Sequence, residues 1–455
     1  MAKKNTINKC KVCGYEMVGF MGKCPECSSY GSFEIVQVNI KEGKKNKISS
    51  TQRLKEVLSS NSDRVITGIS EFDRVMGGGI VKDSVTILTA KPGAGKSTLL
   101  LQVANRIAAM GMDVLYASGE ESASQIKNRA DRILSDINEK LHVMSDNNLD
   151  NVIEQVGLTQ PHFIIIDSIQ TFTMEAYQPS RAGSPTQTME CAYELVRLAK
   201  DSSQPRIVFI VGQMTKDDEL AGVRALEHLV DSVLIIEGES GEELRSLMST
   251  KNRYGSTGEM GFFNMTEDGM VSIDNPSEYF MTKRTDGSNV NGSSLTVVRE
   301  GTRPIILEIE SLVSQSFTPY PSRIGESMKR EQLNTLVSIL EQRGGISLYD
   351  KNVVIKTTGG IRLKEQASNL AVLVSIVSSV YERAVPVDSV FLADVGLTGE
   401  LKKVPSLEAR IREAERLGFK KAYISGEYDK NKSFETIKLI KYKTLKEVIN
   451  SVFKG

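Results

Sequence analysis

Nine consecutive residues, Ala90-Lys91-Pro92-Gly93-Ala94-Gly95-Lys96-Ser97-Thr98, have the types and spacing of a loop that wraps the phosphates of a nucleotide. The pattern calls for two glycines separated by four residues and followed by Lys and Ser or Thr; Ala90 stands in the place of the first glycine. Small residues let successive backbone N–H groups curl around a β-phosphate, and the following helix adds the positive end of its dipole. Lys96 is then expected to reach the β- and γ-phosphates, with the Ser97 hydroxyl on Mg²⁺ and ATP as the nucleotide. An ordinary tight glycine turn can match so short a pattern. Here it lies between an apolar, β-branched run, Val85–Thr89, and a helical stretch, Lys96–Met110, which is the context a phosphate loop requires.

Hydrolysis needs carboxylates as well. Asp167 ends the apolar run 162–166, where a metal-coordinating acid belongs. Glu120 and Glu121 follow the run Val114–Ser118, which is expected to neighbour the phosphate-loop strand, and one of the two would orient the attacking water. The bland readings are a strand-ending Asp and a solvated Glu pair opening a helix. Lys251-Asn252-Arg253-Tyr254-Gly255 sets two cations at the end of a strand-like run. They can serve their own nucleotide, reach a neighbouring subunit's γ-phosphate, or form an exposed basic turn, and spacing does not choose. Cys10-x-x-Cys13 and Cys24-x-x-Cys27 are two knuckles ten residues apart, the arrangement of a tetrahedral four-thiolate Zn²⁺ site. Cys191 falls in a helical stretch as a core residue, and His142, His162 and His228 read as structural.

These groups need a scaffold. Apolar runs at Val85–Thr89, Val114–Ser118, His162–Asp167, Arg206–Val211 and Ser232–Ile236 alternate with helical stretches such as Met189–Lys200, the signature of an α/β fold with a parallel sheet covered on both faces. The expected division is a zinc module over 1–38, a polar linker over 39–62, an ATPase domain over 63–280 and a second α/β domain over 281–455, entered through the polar stretch 286–293. In the last of these, Ile305–Ile309 reads as a strand, and Leu370–Tyr381 and Ser406–Leu417 as helices. Hydrophobic residues at 40% and charged residues at 25% fit a folded chain, and a net charge of zero gives no general sign of a polyanion partner. Residues 1–55 nevertheless hold eleven Lys or Arg against four Glu. No apolar run approaches the roughly 20 residues of a membrane span, and the start lacks a signal peptide's apolar core, so a reducing cytoplasm is expected and the cysteines are read as metal ligands.

The order of these parts resembles the RadA (Sms) family of bacterial DNA-repair proteins over nearly the whole chain. Thr67-Gly68-Ile69, Gly77-Gly78-Gly79, Ser118-Gly119-Glu120-Glu121-Ser122, Ile166-Asp167-Ser168-Ile169-Gln170-Thr171 and Leu226-Glu227-His228 carry the likeness, with the cysteine module before them and the Lys251–Gly255 motif after. The resemblance implies a RecA-like core, a C-terminal domain similar to the proteolytic domain of Lon, and a hexameric ATP-driven ring. Its partners would be single-stranded and branched DNA, with branch migration promoted alongside RecA. It further implies that Lys251 and Arg253 act in trans, with Tyr254 where the family usually has Phe and Gln213 where it more commonly has His. Ala367 and Glu408 stand where a Lon-type protease carries its Ser nucleophile and Lys base, with Ser368 one step off. The C-terminal domain is therefore expected to be a scaffold without protease chemistry, with Lys402, Lys403, Arg410 and Arg412 as candidates for a DNA-facing surface. An ATP-dependent protease, a non-enzymatic regulator whose nucleotide sets oligomer state, and a helicase or helicase loader are the competing classes.

Overall fold

A computed structural model describes residues 6–13, 15–17, 22–37, 53, 55, 64–213, 226–238, 241–282, 290–428 and 434–454. Apart from Arg53 and Lys55, the linker expected over 39–62 lies outside the described residues, as do 286–289 of the polar stretch before the C-terminal half. The chain forms two compact units, Met1–Asn61 and Ser62–Gly455. In the first, β1 (Thr6–Cys10), β2 (Glu16–Met17) and β3 (Phe33–Gln37) make an antiparallel sheet in the order β2-β1-β3. So small a sheet cannot bury a core of its own and needs a metal or a similar staple.

The second unit opens with a two-residue ladder, β4 (Arg64–Val65) against β5 (Ile80–Val81), flanking the helix α1 (Ser70–Val75). A nine-stranded sheet follows, built from β6 (Val85–Ala90), β7 (Val114–Ser118), β8 (Leu141–Ser145), β9 (Phe163–Asp167), β10 (Ile207–Gln213), β11 (Ser232–Glu237), β12 (Leu244–Asn252), β13 (Met260–Thr266) and β14 (Gly269–Ser272). Its order is β14-β13-β12-β11-β6-β10-β9-β7-β8. The strands from β8 to β11 are mutually parallel, and β12–β14 extend the sheet as antiparallel hairpins. Helices α2 (Lys96–Ala109), α3 (Ala123–Ile133), α4 (Leu149–Thr159) and α5 (Pro185–Ala199) lie between the parallel strands along the chain.

The strand order corrects one expectation. β7 is not the sheet neighbour of β6, because β10 and β9 stand between them. Apolarity arranges the strands: β6 is wholly buried, as are four of the five residues of β9 and all of β10 but Gln213. The edge strand β8 buries no residue fully. At five residues with a His and a Ser, Leu141–Ser145 is also too short and mixed a run to have given a strand signal in the sequence.

The C-terminal half of this unit carries the short helix α6 (Pro276–Tyr279), then β15 (Ser293–Glu300), β16 (Arg303–Gln315), β17 (Arg323–Gly325) and β18 (Lys351–Thr357) in the order β15-β16-β18-β17. Helices α7 (Arg330–Ile339), α8 (Asn369–Tyr381), α9 (Leu407–Arg416) and α10 (Leu445–Phe453) pack with it. β19 (Ser389–Leu392), the paired β20 (Asp394–Val395) and β21 (Leu401–Lys402), β22 (Lys421–Ser425) and β23 (Lys438–Tyr442) complete it. α8 is buried from Asn369 to Ser378, which makes it the central helix of this half. One core runs across the junction, joining Met260 and Phe262 of β13 to Phe280, Ile305 and Leu307. Over it, Arg303 Nη1 donates to both carboxylate oxygens of buried Glu71 at 2.8 Å. Removing one partner of so buried a pair costs about 3–5 kcal/mol. Among the described residues no helix is long and apolar enough to cross a membrane.

Candidate nucleotide site and metal centre

The phosphate loop is positioned by β6, whose last residue, Ala90, pairs with Gln213 on one side and Ile236 on the other. Ala90 is fully buried, so a methyl in place of the first glycine's hydrogen is accommodated within the sheet. Gly93 (φ +78°) and Gly95 (φ +102°) turn the chain through the left-handed region. At Gly95 a Cβ would also lie 2.5 Å from Met265 Cε on β13, a flexible side-chain end that can give way, so it is the backbone conformation that requires glycine there. Lys91, Pro92 and Gly93 are exposed, Ala94 is buried, and Gly95 through Thr98 are half-buried. α2 starts at Lys96 with no side-chain cap, which leaves its first-turn N–H groups to an anion. Lys96 Nζ donates to the carbonyls of Ala90 (2.9 Å) and Lys91 (3.4 Å). Burial lowers the pKa of its ammonium, against the opposing pull of Asp167 and Glu120.

Asp167, at the end of β9, faces this loop. Its Oδ2 accepts from Ser97 Oγ at 2.8 Å and from the Tyr116 hydroxyl. Burial raises the Asp167 pKa, while those two donors lower it. Gln213, at the end of β10, donates its Nε2–H to Glu120 Oε1 at 2.7 Å, and the Ser168 hydroxyl donates to the same oxygen. Glu121 is held elsewhere, in a two-pronged pair with Arg129 of α3. Lys96, Ser97, Asp167 and Glu120 thus converge at the C-terminal ends of the parallel strands, the side of an α/β sheet where ligands bind. Glu121 does not join them. Sequence reasoning missed the contributions of Tyr116, Ser168 and Arg129. Only Ser168 left a trace, as part of the run 166–171.

Lys251 and Arg253 lie toward the opposite, N-terminal end of the parallel strands. Asn252 pairs with Ser232, which pairs with Thr86 near the start of β6, whereas Ala90 pairs with Ile236 at the far end of β11. Lys251 is level with Ile87 and Asn252 with Thr86, so about 10–13 Å along β6 and two strand spacings across the sheet separate the motif from its own phosphate loop. Lys251 Nζ donates to the Glu227 carbonyl, and Arg253 Nη1 to Asp231 at 3.1 Å.

In the small N-terminal unit the four thiols expected to bind metal come together. The Sγ atoms of Cys10, Cys13, Cys24 and Cys27 all lie within 4.8 Å of one another. Cys10 and Cys27 are 3.7 Å apart, and Cys13 and Cys24 are 3.6 Å apart. A Zn²⁺ with tetrahedral bonds of about 2.3 Å spaces its sulfurs roughly 3.8 Å apart, so the donor set fits zinc. All four are free thiols, not disulfides. The Ser32 hydroxyl lies 3.3 Å from Cys10 Sγ and the Ser29 hydroxyl 3.0 Å from Cys27 Sγ, placed to orient the thiolates.

In the C-terminal half Ala367 is buried and brings no hydroxyl, and the Ser368 hydroxyl is spent on the Glu365 carbonyl at 2.8 Å. Glu408 lies on α9. Arg410 corrects the notion of a basic surface at that position. It is 1% exposed, pairs with Glu365 at 2.8 Å, and donates to the Val297 and Pro405 carbonyls, so it braces the interior.

A family model described as an AAA domain matches residues 50–219. The chain is 41% identical to the DNA repair protein RadA of Bacillus subtilis (strain 168) over 434 residues, which cover 93% of each chain. It is 40% identical over 460 residues to the protein of that name from Streptococcus pyogenes serotype M1, covering both chains in full. Against the one from Listeria monocytogenes the identity is 39% over 431 residues, covering 93% of this chain and 92% of the other.

Proposed function

The chain belongs to the RadA family of bacterial DNA-repair proteins, and on that footing we propose that it is a DNA-stimulated ATPase that drives branch migration in recombination intermediates alongside RecA, in the cytoplasm. The observation that carries the reading is the meeting of Lys96, Ser97, Asp167 and Glu120 at the C-terminal ends of the parallel strands. The backbone amides of Ala90–Thr98 and the Lys96 ammonium hold the β- and γ-phosphates of ATP. Ser97 and Asp167 hold Mg²⁺, which when bound neutralises charge on the transferred phosphoryl group. Glu120 orients the attacking water and takes up its proton. Gln213 and Ser168 donate to Glu120 and keep it aimed, while the Arg129 pair removes Glu121 from the same task.

Lys251 and Arg253 stand too far from their own loop to serve it, which supports their action on the γ-phosphate of a neighbouring subunit. ATP would then sit at subunit boundaries of a closed ring, a hexamer by family pattern. Hydrolysis there moves loops that grip single-stranded and branched DNA. In domain terms, residues 63–280 form the ATPase and 281–455 a scaffold. That Ala367 lacks a hydroxyl and Ser368 spends its own on a carbonyl argues against proteolysis. Zinc held by Cys10, Cys13, Cys24 and Cys27 would stabilise the module over 1–38.

The test is ATP turnover with and without single-stranded DNA, followed by strand extension on a three-stranded intermediate. Stimulated turnover and extension are expected, both falling steeply as salt rises. A purified protein without ATP affinity would sink the reading.

A further inference from the structure

Arg253 is not alone at its end of the strands. Asp231, the residue before β11, is 1% exposed and stitched to the first residue of the phosphate-loop strand. Its N–H donates to the Val85 carbonyl at 2.9 Å, and its Oδ2 accepts from the Val85 N–H at 3.0 Å. The other carboxylate oxygen takes both Arg253 Nη1 and Lys200 Nζ at 3.1 Å. Its backbone carbonyl accepts the Arg253 N–H at 3.0 Å. One buried carboxylate thus serves two cations whose side chains are 50% and 40% exposed.

A buried carboxylate stripped of its cation is costly, so a single counter-ion would be hard to release. With two, either can leave while the other keeps the charge paired. We propose that Asp231 is a positioning residue for Arg253, holding its guanidinium ready for a neighbouring subunit's nucleotide, and that Lys200 keeps Asp231 paired when Arg253 is drawn away. A guanidinium already fixed through backbone and side chain loses less freedom on meeting a phosphate than a loose one. The proposal rests on the trans reading of Arg253 and extends it to two residues that touch no nucleotide.

Two inactive chains, mixed, separate the possibilities. One carries Lys96→Ala and still offers Arg253; the other carries Arg253→Ala and still offers a phosphate loop. Mixing restores ATP turnover where Arg253 serves a neighbour, and no restoration would remove the trans reading itself. Asp231→Asn is then added to one chain or the other. In the chain that offers Arg253 it lowers the restored rate about tenfold, and in the chain that offers the loop less than about twofold. Equal loss in both placements means that Asp231 only supports β6, and the proposal fails. Should that variant not fold, Lys200→Met decides, since its side chain is partly exposed. It lowers the restored rate about threefold in the Arg253-offering chain alone. An unchanged rate there, or the same loss in both chains, overturns the proposal.

Discussion

The two ends of the parallel strands in the nine-stranded sheet are built on different logics. At the C-terminal ends of β6, β9 and β10, groups brought by short local motifs meet over a loop, with Lys96, Ser97, Asp167 and Glu120 all from one chain. At the opposite end two cations, Lys251 and Arg253, gather around Asp231 and the Glu227 carbonyl with no phosphate loop of their own within reach. Antiparallel β12 creates the contrast, since its direction carries the motif away from the loop. This register is what supports the proposed sharing of one active site between two subunits.

The strongest way to break the comparison is at the loop. Lys96→Ala should lower ATP turnover by about three orders of magnitude or more, with the melting temperature nearly unchanged. Normal turnover by that variant would remove the assignment of this end. Next comes the choice between adjacent carboxylates. Glu120→Gln should lower kcat by about 10²- to 10⁴-fold while ATP still binds. Glu121→Gln, which breaks a half-buried pair with Arg129, should change kcat only a few-fold and stability by about 1 kcal/mol. If both variants lose turnover alike, the separation drawn from the Arg129 pair is wrong.

How legible these features were depends on how local they are. The loop, its strand and its helix could be read from one contiguous stretch, because small residues, apolar runs and Gly turns act over a few residues. The zinc thiols were equally legible, their spacing being the geometry itself. The choice between Glu120 and Glu121 was not, since it turns on Arg129 eight residues away and on Gln213 from another strand. Strand order was hidden too. No local periodicity says that β10 and β9 come between β6 and β7, and the edge strand β8, five residues of mixed character, is too short a run to stand out. The location of Lys251 and Arg253 was the least legible, being a consequence of register alone.

Asp167 offers a sharper test of the loop end, with a middling effect. Burial raises its carboxyl pKa, so the folded chain binds this proton more tightly than the unfolded one. That gain in stability is present at low pH and is lost as pH rises through the folded-state value. Asp167→Asn removes the loss, because an amide needs no proton to be buried uncharged and its oxygen still accepts from Ser97 and Tyr116. At neutral pH the variant should melt on the order of 1–3 °C higher than the parent, and its acid dependence should be flatter. Mg²⁺-dependent turnover should be lost together with the metal ligand. A melting temperature that falls at neutral pH would show that the carboxylate charge stabilises the fold.

The smallest effect is expected at the other end. Tyr254 follows Arg253, and its hydroxyl pKa is pushed up to about 12, first by burial and then by the nearby Asp231 and Asp83 charges. A hydroxyl so hard to ionise stays neutral across the physiological range and contributes at most one hydrogen bond to the group that holds Arg253. Tyr254→Phe keeps the ring and gives up that bond, at a net cost of about 0.5–1.5 kcal/mol. Asp231 would keep Val85, Lys200 and Arg253 as donors, so DNA-stimulated turnover should fall by no more than about threefold. A much larger loss would mean that the phenol itself, and not only the cations beside it, meets the neighbouring subunit. In that case the division between a chemical end and a supporting end would have to move by one residue.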